Sequence, residues 1–178
     1  MRAARASSVL DGGSLSFSKD GEAPAKGERA DAVLAGALRV AEALEGGATA
    51  LVGVWQRAPL QAIARLHSLA AADLTDPDQL GRPRTDDPDV GRRLELLGEI
   101  VGGGSRVPAT VLAGVAHGEL LSLAPFGVAD GVVARAVSRL ITMSSGLDPH
   151  GLGVPEMYWM RQVGEYCAAA RGFASGTA

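Results

Sequence analysis

The stretch "HGELLSLAPFGVADGVVAR", residues 117–135, decides the fold because it joins two helical patterns through an abrupt break. Apolar residues recur at helical spacing over 107–123 and again over 130–146. Between these patterns, residues 124–130 include a proline, a phenylalanine and a glycine, which together indicate a tight loop. A helix that begins directly after such a loop presents unpaired backbone N–H groups, an arrangement typical of anion-binding sites.

The same helical periodicity recurs along the chain and predicts about seven helices. Their predicted ranges are 1–10, 28–44, 59–74, 90–101, 107–123, 130–146 and 155–173. Aromatic residues make up only 4% of the chain, so the core must consist largely of Ala, Val and Leu. These side chains suit closely packed helices better than a sheet, and we expect an all-α bundle with mixed crossing angles.

The domain organisation is expected to be simple, because 178 residues suit a single domain, here 1–178. Residues 1–27 are predicted to form an N-terminal segment that ends in a mobile polar loop (14–27). A helical core is expected over 28–173 and a flexible tail over 174–178. The segment "TDPDQLGRPRTDDPDVG" contains three prolines and five aspartates without strand-like alternation, and it is predicted to be a loop.

Composition argues against several classes of protein. The net charge is −3 and there is no basic stripe, so a nucleic-acid partner is not expected. The one cysteine, Cys167, leaves no internal disulfide and favours a reducing compartment. No apolar run approaches the roughly 20 residues of a membrane span, and Met1 does not open a signal segment. These features predict a cytoplasmic protein without membrane contact.

The side chains that usually carry chemistry are sparse. His67, His117 and His150 lie far apart in sequence with no cysteine or carboxylate spaced to join them in a metal site. Neither a Walker-type loop nor a dinucleotide fingerprint is present. We therefore expect His67 and His117 to be core histidines, and Trp55 and the "MYWM" segment (157–160) to serve packing.

The start of the helix after the loop allows two interpretations from the residues alone. Asp130-Gly131 and the dipole at the helix start form a candidate phosphate site, with Arg135 one turn further on to pair with an anion. Alternatively, Asp130 is only the N-cap of the helix, since Asp is favoured there.

Residues 124–135 resemble the signature of the Fic (Fido-fold) family, H-P-F-x-(D/E)-G-N-G-R-x-x-R, which lies on a loop between two helices. Laid on this chain without gaps, the signature matches at Pro125, Phe126, Gly131 and Arg135. The resemblance implies a Fic-like helical bundle and a vestigial phosphate-binding loop that consists of these residues together with Asp130.

Further segments resemble the same family. His117 follows an alanine and precedes Ala124 by seven residues, as an "A-H" pair often precedes the family's signature histidine. "IARLHSL" (63–69) is similar to the family's earlier "LH" helix, and "GRPR" (81–84) to the "PGxxR" turn after it. The family's target-docking hairpin usually follows in this region; here the segment is short and acidic, so the hairpin is expected to be reduced or absent.

The N-terminal segment "ASSVLDGG" (6–13) resembles the family's inhibitory segment, (S/T)-x-x-x-E-(G/N), with Ser7, Asp11 and Gly12 at its defining positions. In the family, the glutamate of this segment pairs with the last arginine of the signature. We therefore predict that Asp11 forms a structural ion pair with Arg135 and ties the first helix to the bundle.

The resemblance also shows what this chain lacks. Typical Fic enzymes transfer AMP from a nucleotide to a protein hydroxyl, with the signature histidine as general base and the next carboxylate holding magnesium. Here Ala124 stands at the base position and cannot accept a proton, and Val128 cannot ligate a metal. Val132 replaces a cationic phosphate partner, and Asp130 adds a negative charge where the family has Asn.

Three functional interpretations follow from the resemblance. The leading one is a catalytically degenerate Fic-domain protein, without catalytic residues or a cofactor, kept for a protein partner or self-association. The second is an active transferase of the nucleotidyl or phosphoryl type with altered chemistry, using His117, Asp130 or Arg135. The third is a regulator that binds a nucleotide without turnover. ATP and magnesium belong only to the last two.

Overall fold

The computed structural model describes residues 1–12, 25–45, 48–102 and 106–176 of the 178-residue chain. Over these residues the chain forms nine α-helices and one 3-10 helix, Pro77–Gln79, and contains no strand. The α-helices are α1 (Arg2–Leu10), α2 (Ala25–Glu45), α3 (Ala48–Arg57), α4 (Pro59–Ala70), α5 (Asp89–Gly102), α6 (Ala109–Leu123), α7 (Asp130–Ser144), α8 (Pro155–Arg161) and α9 (Val163–Ser175). The predicted all-α class is confirmed.

The predicted number of about seven helices is too low for the described residues. Helix α3 was not predicted, because it is short and carries Gly53 between β-branched Val52 and Val54, which weakens the helical pattern. The helix expected over 155–173 is two helices, because the backbone leaves the helical region at Gln162 (φ −116°, ψ 43°).

Several predicted boundaries also shift. Helix α2 begins at Ala25, so the last residues of the predicted mobile loop are helical, while 14–24 lie outside the described residues. The predicted tail starts too early, because α9 continues to Ser175; residues 177–178 are not described. Helix α4 ends at Ala70 rather than near Leu74.

Helix α7 lies at the centre of the bundle. Most of its residues are buried, and it packs against α6 along its length and against α1, α2, α3 and α4 elsewhere. A helix that is covered on nearly every side must be apolar on nearly every side, which the small and β-branched residues of α7 provide. One hydrophobic cluster joins α7 to the six helices before it. The start of α7, at the loop, is thus held by the whole core.

A close helix crossing helps to fix the region before the loop. A Cβ atom at Gly36 of α2 would collide with the backbone carbonyl of Ala70 in α4, so only glycine allows the two helices to approach this closely. Residues 71–88, which follow α4, form turns and the 3-10 helix without a strand, so no hairpin lies in this described segment. None of the described helices has both the length and the apolar composition that crossing a membrane requires.

Candidate functional site

The loop between α6 and α7 bends through three left-handed backbone positions. These are Ala124 (φ 44°), Gly127 (φ 77°) and Ala129 (φ 56°). A left-handed conformation is costly for alanine, of the order of 1–3 kcal/mol at each position, so the surroundings must hold the loop in place. Ala124 ends α6 as its C-cap residue, and Ala129 precedes the first residue of α7.

Arg84, the last residue of the "GRPR" turn, holds the first half of this loop. Its Nε donates a hydrogen bond to the carbonyl oxygen of Ala124 at 3.0 Å, and its Nη2 donates to that of Leu123 at 3.1 Å. Its backbone N–H donates to the carbonyl oxygen of Pro125 at 2.8 Å. These bonds satisfy carbonyl groups that the end of α6 leaves without helical partners.

His67 of α4 packs against the loop. Its ring stacks on that of Phe126, with 4.0 Å between ring centroids and 6° between ring planes, and its Nδ1 accepts a hydrogen bond from the N–H of Gly81 at 2.9 Å. Burial lowers the pKa of His67 to about 4, an effect that the backbone carbonyl of Val128 partly opposes. His67 is therefore neutral near pH 7, and the prediction that it is a core histidine is confirmed.

Asp130 directs its carboxylate back into the loop. Its Oδ1 accepts a hydrogen bond from the N–H of Phe126 at 2.9 Å, and the N–H of Gly127 also favours the charged carboxylate. Asp130 is the first residue of α7 and the N-cap position belongs to Ala129, so the interpretation of Asp130 as a simple N-cap is wrong. The backbone N–H groups at the bend of the loop point toward a carboxylate of the chain itself.

Asp11 covers the start of α7 from the end of α1. Its Oδ2 accepts a hydrogen bond from the N–H of Val132 at 2.8 Å, and its Oδ1 lies 2.6 Å from Nη2 of Arg135. The side chain of Arg135 is 1% exposed and that of Asp11 is 18% exposed, so this is a largely buried ion pair. The predicted ion pair is confirmed. A Cβ atom at Gly131 would collide with the Asp11 carboxylate, so a larger residue there would displace that carboxylate from its partners.

Arg135 is partnered at each of its three guanidinium nitrogens. Besides its contact with Asp11, it donates to Oγ of Ser7 at 2.8 Å and to the Ser7 carbonyl oxygen at 2.9 Å. Its Nη1 donates to the hydroxyl oxygen of Tyr166 at 3.0 Å. The cation is therefore engaged by α1 on one side and by α9 on the other, and the segment around Ser7, Asp11 and Gly12 closes over it.

His117 joins this network through Tyr166. Its Nε2 shares a hydrogen bond of 3.0 Å with the Tyr166 hydroxyl oxygen, which also accepts from Nη1 of Arg135. Burial, with a smaller contribution from the nearby Arg135 charge, lowers the pKa of His117 to about 4. His117 thus faces α9 and is neutral near pH 7. His117 and Arg135 belong to one hydrogen-bond network through Tyr166, whereas Asp130 bonds to the loop at Phe126.

Tyr166 is the member of the site that the sequence did not indicate. It lies 31 residues after Arg135 in a separate helix, and no local pattern around it signals a polar role. Arg84 could be found only through the likeness of "GRPR" to a family turn, which indicated a turn without giving the arginine a role. Both residues act through distant backbone or side-chain partners, so spacing along the chain could not reveal them.

A cavity of about 290 Å³ lies beside the loop. Its wall includes residues 127–131, together with Asp11 of α1 and Arg29 of α2. It therefore contains two carboxylates and one cation, a lining that does not favour a polyphosphate. Ala124, Val128 and Val132 all have apolar side chains, so none of the three offers a proton acceptor or a metal ligand.

Within the described residues, no three His, Cys, Asp or Glu side chains come together in a way that could hold a metal ion. No protein-family model, curated protein or solved structure matches the chain.

The raised pKa of Asp130 predicts that the stability of the protein depends on pH. Burial is the main cause that raises its pKa from 3.8 to about 6, with a smaller effect of Asp11, while Arg84 and the N–H groups of the loop oppose the shift. Its contribution to stability is therefore complete below about pH 4 and is lost as the pH rises through about 6. Asp130→Asn keeps an acceptor oxygen and should raise the free energy of unfolding at pH 7 by about 1–2 kcal/mol.

Urea denaturation over a series of pH values checks this expectation. The advantage of Asp130→Asn should disappear toward pH 4, where the wild-type carboxyl is protonated. The control is Asp78→Asn, because Asp78 is exposed and lies in the 3-10 helix. A gain in stability that is constant from acidic to neutral pH would contradict the raised pKa.

Proposed function

We propose that this chain is a catalytically degenerate Fic-fold protein, kept for a binding or structural role rather than for group transfer. The order of its elements supports the proposal. An N-terminal helix carries Ser7 and is followed directly by Asp11, a later helix carries His67, and the helix–loop–helix unit carries Pro125 and Arg135. Of the positions that match the family signature, Pro125 and Phe126 lie in the loop, and Gly131 and Arg135 contact Asp11.

One observation carries the proposal: carboxylates of the chain occupy the groups that would bind phosphate. The Asp11 carboxylate accepts a hydrogen bond from the N–H of Val132 and pairs with the guanidinium of Arg135. The Asp130 carboxylate accepts a hydrogen bond from the N–H of Phe126. A bound phosphate would have to displace both carboxylates or lie against their negative charge. The same contacts that preserve the shape of the loop therefore oppose its ancestral ligand.

The missing side chains argue in the same direction. Transfer to a hydroxyl needs a base near the reacting oxygen, and a general base typically contributes about 10²–10⁴-fold in rate. Ala124 offers none, and His117 is held by Tyr166 at α9. Val128 and Val132 provide neither a metal ligand nor a cation for the phosphates.

The surface supports a protein partner or self-association as the surviving role. Val111 and Val115 of α6 are 51% and 36% exposed, although the sequence placed them among the apolar positions of that helix. Leu96 and Ile100 of the adjacent α5 are 50% and 40% exposed. Exposed apolar side chains on two helices that contact each other are compatible with an interaction surface.

A second candidate function, nucleotide binding without turnover, draws on the 290 Å³ cavity and on Arg29 in its wall. Arg29 is exposed and could meet a phosphate without first breaking the Asp11–Arg135 pair. The cavity would then hold a nucleotide at its rim, while the two carboxylates keep the phosphates away from the start of α7.

One experiment separates these functions. The chain is incubated with magnesium and labelled ATP, GTP, UTP or CTP, and both binding and self-modification are followed. We expect neither binding nor label transfer. Binding without transfer, lost in Arg29→Gln but kept in the control Arg92→Gln on α5, would support the second candidate. Label transfer to the protein would contradict the proposed function.

A further inference from the structure

A second cavity, of about 380 Å³, lies between α6 and the C-terminal helices α8 and α9. It does not share a lining residue with the cavity at the loop. Its wall includes His117, Leu121, Trp159, Glu165, Tyr166 and Phe173. We call it the aromatic pocket. Its volume falls within the range of about 300–1,000 Å³ that is typical of small-molecule sites.

Three aromatic rings pack against one another in the wall of this pocket. The ring centroids of His117 and Trp159 lie 4.8 Å apart in a stacked arrangement, and those of Trp159 and Tyr166 lie 5.4 Å apart. The Tyr166 hydroxyl is fixed between His117 and Arg135, so two of the rings are held by hydrogen bonds before any ligand arrives. A preformed aromatic surface loses little entropy when a flat molecule stacks on it.

Gly114 of α6 leaves part of the pocket open. A Cβ atom at Gly114 would meet no other atom within 4 Å, so this part of the pocket is free of neighbouring side chains. One turn further on, the ring of Phe173 lies directly against Gly118 and closes the end of the pocket. The pocket therefore offers open space at Gly114 in the same wall as the aromatic cluster, and a single ring can enter this space.

The charge of the pocket selects among planar groups. Glu165 is the charged residue of its lining, and His117 is neutral near pH 7. A carboxylate beside aromatic faces attracts cations, since the faces of Trp and Tyr rings add a cation–π contribution. An anionic ligand would instead meet the Glu165 charge, because the nearby cation, Arg135, is already paired with Asp11.

We propose that the aromatic pocket binds a small planar aromatic amine, with its ring against the aromatic cluster and its ammonium group near Glu165. This site is independent of the proposed loss of transferase chemistry, because it uses none of the loop residues. It would give the chain a ligand-binding activity at a place that a phosphate-binding loop does not require.

The test uses three matched probes with the full chain and isothermal titration calorimetry. Phenethylamine has the ring and the positive charge, phenylacetate has the ring with a negative charge, and 2-cyclohexylethylamine has the charge without planarity. Saturable binding of phenethylamine is expected, with each of the other two about tenfold weaker or more. The absence of saturable binding, or equal binding of phenylacetate, would overturn the proposal.

Two variants assign the binding to the pocket. Gly114→Leu places a side chain in the open space and should weaken phenethylamine binding by about tenfold or more. Its control is Gly91→Leu on α5, where an added Cβ also meets no atom within 4 Å, and binding should be unchanged. Glu165→Gln should reduce the preference for phenethylamine over phenylacetate. Unchanged binding in Gly114→Leu would place the amine elsewhere and overturn the proposal.

Discussion

Replacing Arg135 by methionine is expected to lower the free energy of unfolding by about 3–5 kcal/mol, because the change breaks a buried ion pair from one side. The variant removes a side chain that is 1% exposed and leaves Asp11 and the Tyr166 hydroxyl without their cationic partner. It also releases the Ser7 carbonyl oxygen, so α1 loses its main polar attachment to α7. Denaturation in urea, followed by circular dichroism at 222 nm, measures the change.

The matched control is Arg92→Met on α5. Arg92 also pairs with an aspartate, Asp89, but the two side chains are 70% and 61% exposed. An exposed pair contributes about 0–1 kcal/mol, and we expect the control to stay within that range. If Arg135→Met were as mild as Arg92→Met, the contacts of Arg135 would not be what holds α1 to the bundle.

Replacing Gly131 by alanine should have the second largest effect, a loss of about 2–4 kcal/mol. The added Cβ collides with the Asp11 carboxylate, so this side chain must turn away from the start of α7. That movement costs the hydrogen bond from the Val132 N–H and the ion pair with Arg135. An alanine in an open helical position would instead add about 0.5–1 kcal/mol of stability.

A double-mutant cycle with Asp11→Ala tests the cause of this loss. In the Asp11→Ala background the colliding carboxylate is gone, so Gly131→Ala should cost little or become slightly stabilising. The coupling between the two positions should reach about 2–3 kcal/mol. Gly91→Ala, at a helical position with open space, serves as the control and should be stabilising. Additive effects of Asp11→Ala and Gly131→Ala would contradict a direct collision.

The sequence predicts well what depends on local pattern. Apolar spacing located the helices on both sides of the loop, and the apolar positions Val33, Ala37 and Leu44 of α2 are buried as the pattern requires. The Asp11–Arg135 pair could also be predicted, although its partners lie 124 residues apart, because each lies in a segment that resembles one family. Periodicity alone would not have joined them.

The sequence predicts less well what depends on three-dimensional contacts. The direction of the Asp130 side chain is set by the left-handed turn at Ala129, and alanine gives no sign of that conformation in a sequence. The division between α8 and α9 lies at Gln162, where no proline or glycine marks a break. Tyr166 meets Arg135 only because α9 folds back onto α6 and α7, which no short pattern encodes.

The central claim is that Asp11 and Asp130 occupy the groups in the loop and at the start of α7 that would bind phosphate. The most direct test is a titration with ATP and magnesium that is observed by NMR. It measures the backbone amide resonances of Phe126, Gly127 and Val132. With ¹⁵N-labelled protein, these amide resonances should not move as ATP and magnesium are added, because their N–H groups face the chain's own carboxylates. Saturable shifts of these resonances would show that a phosphate reaches the start of α7, and would contradict the account.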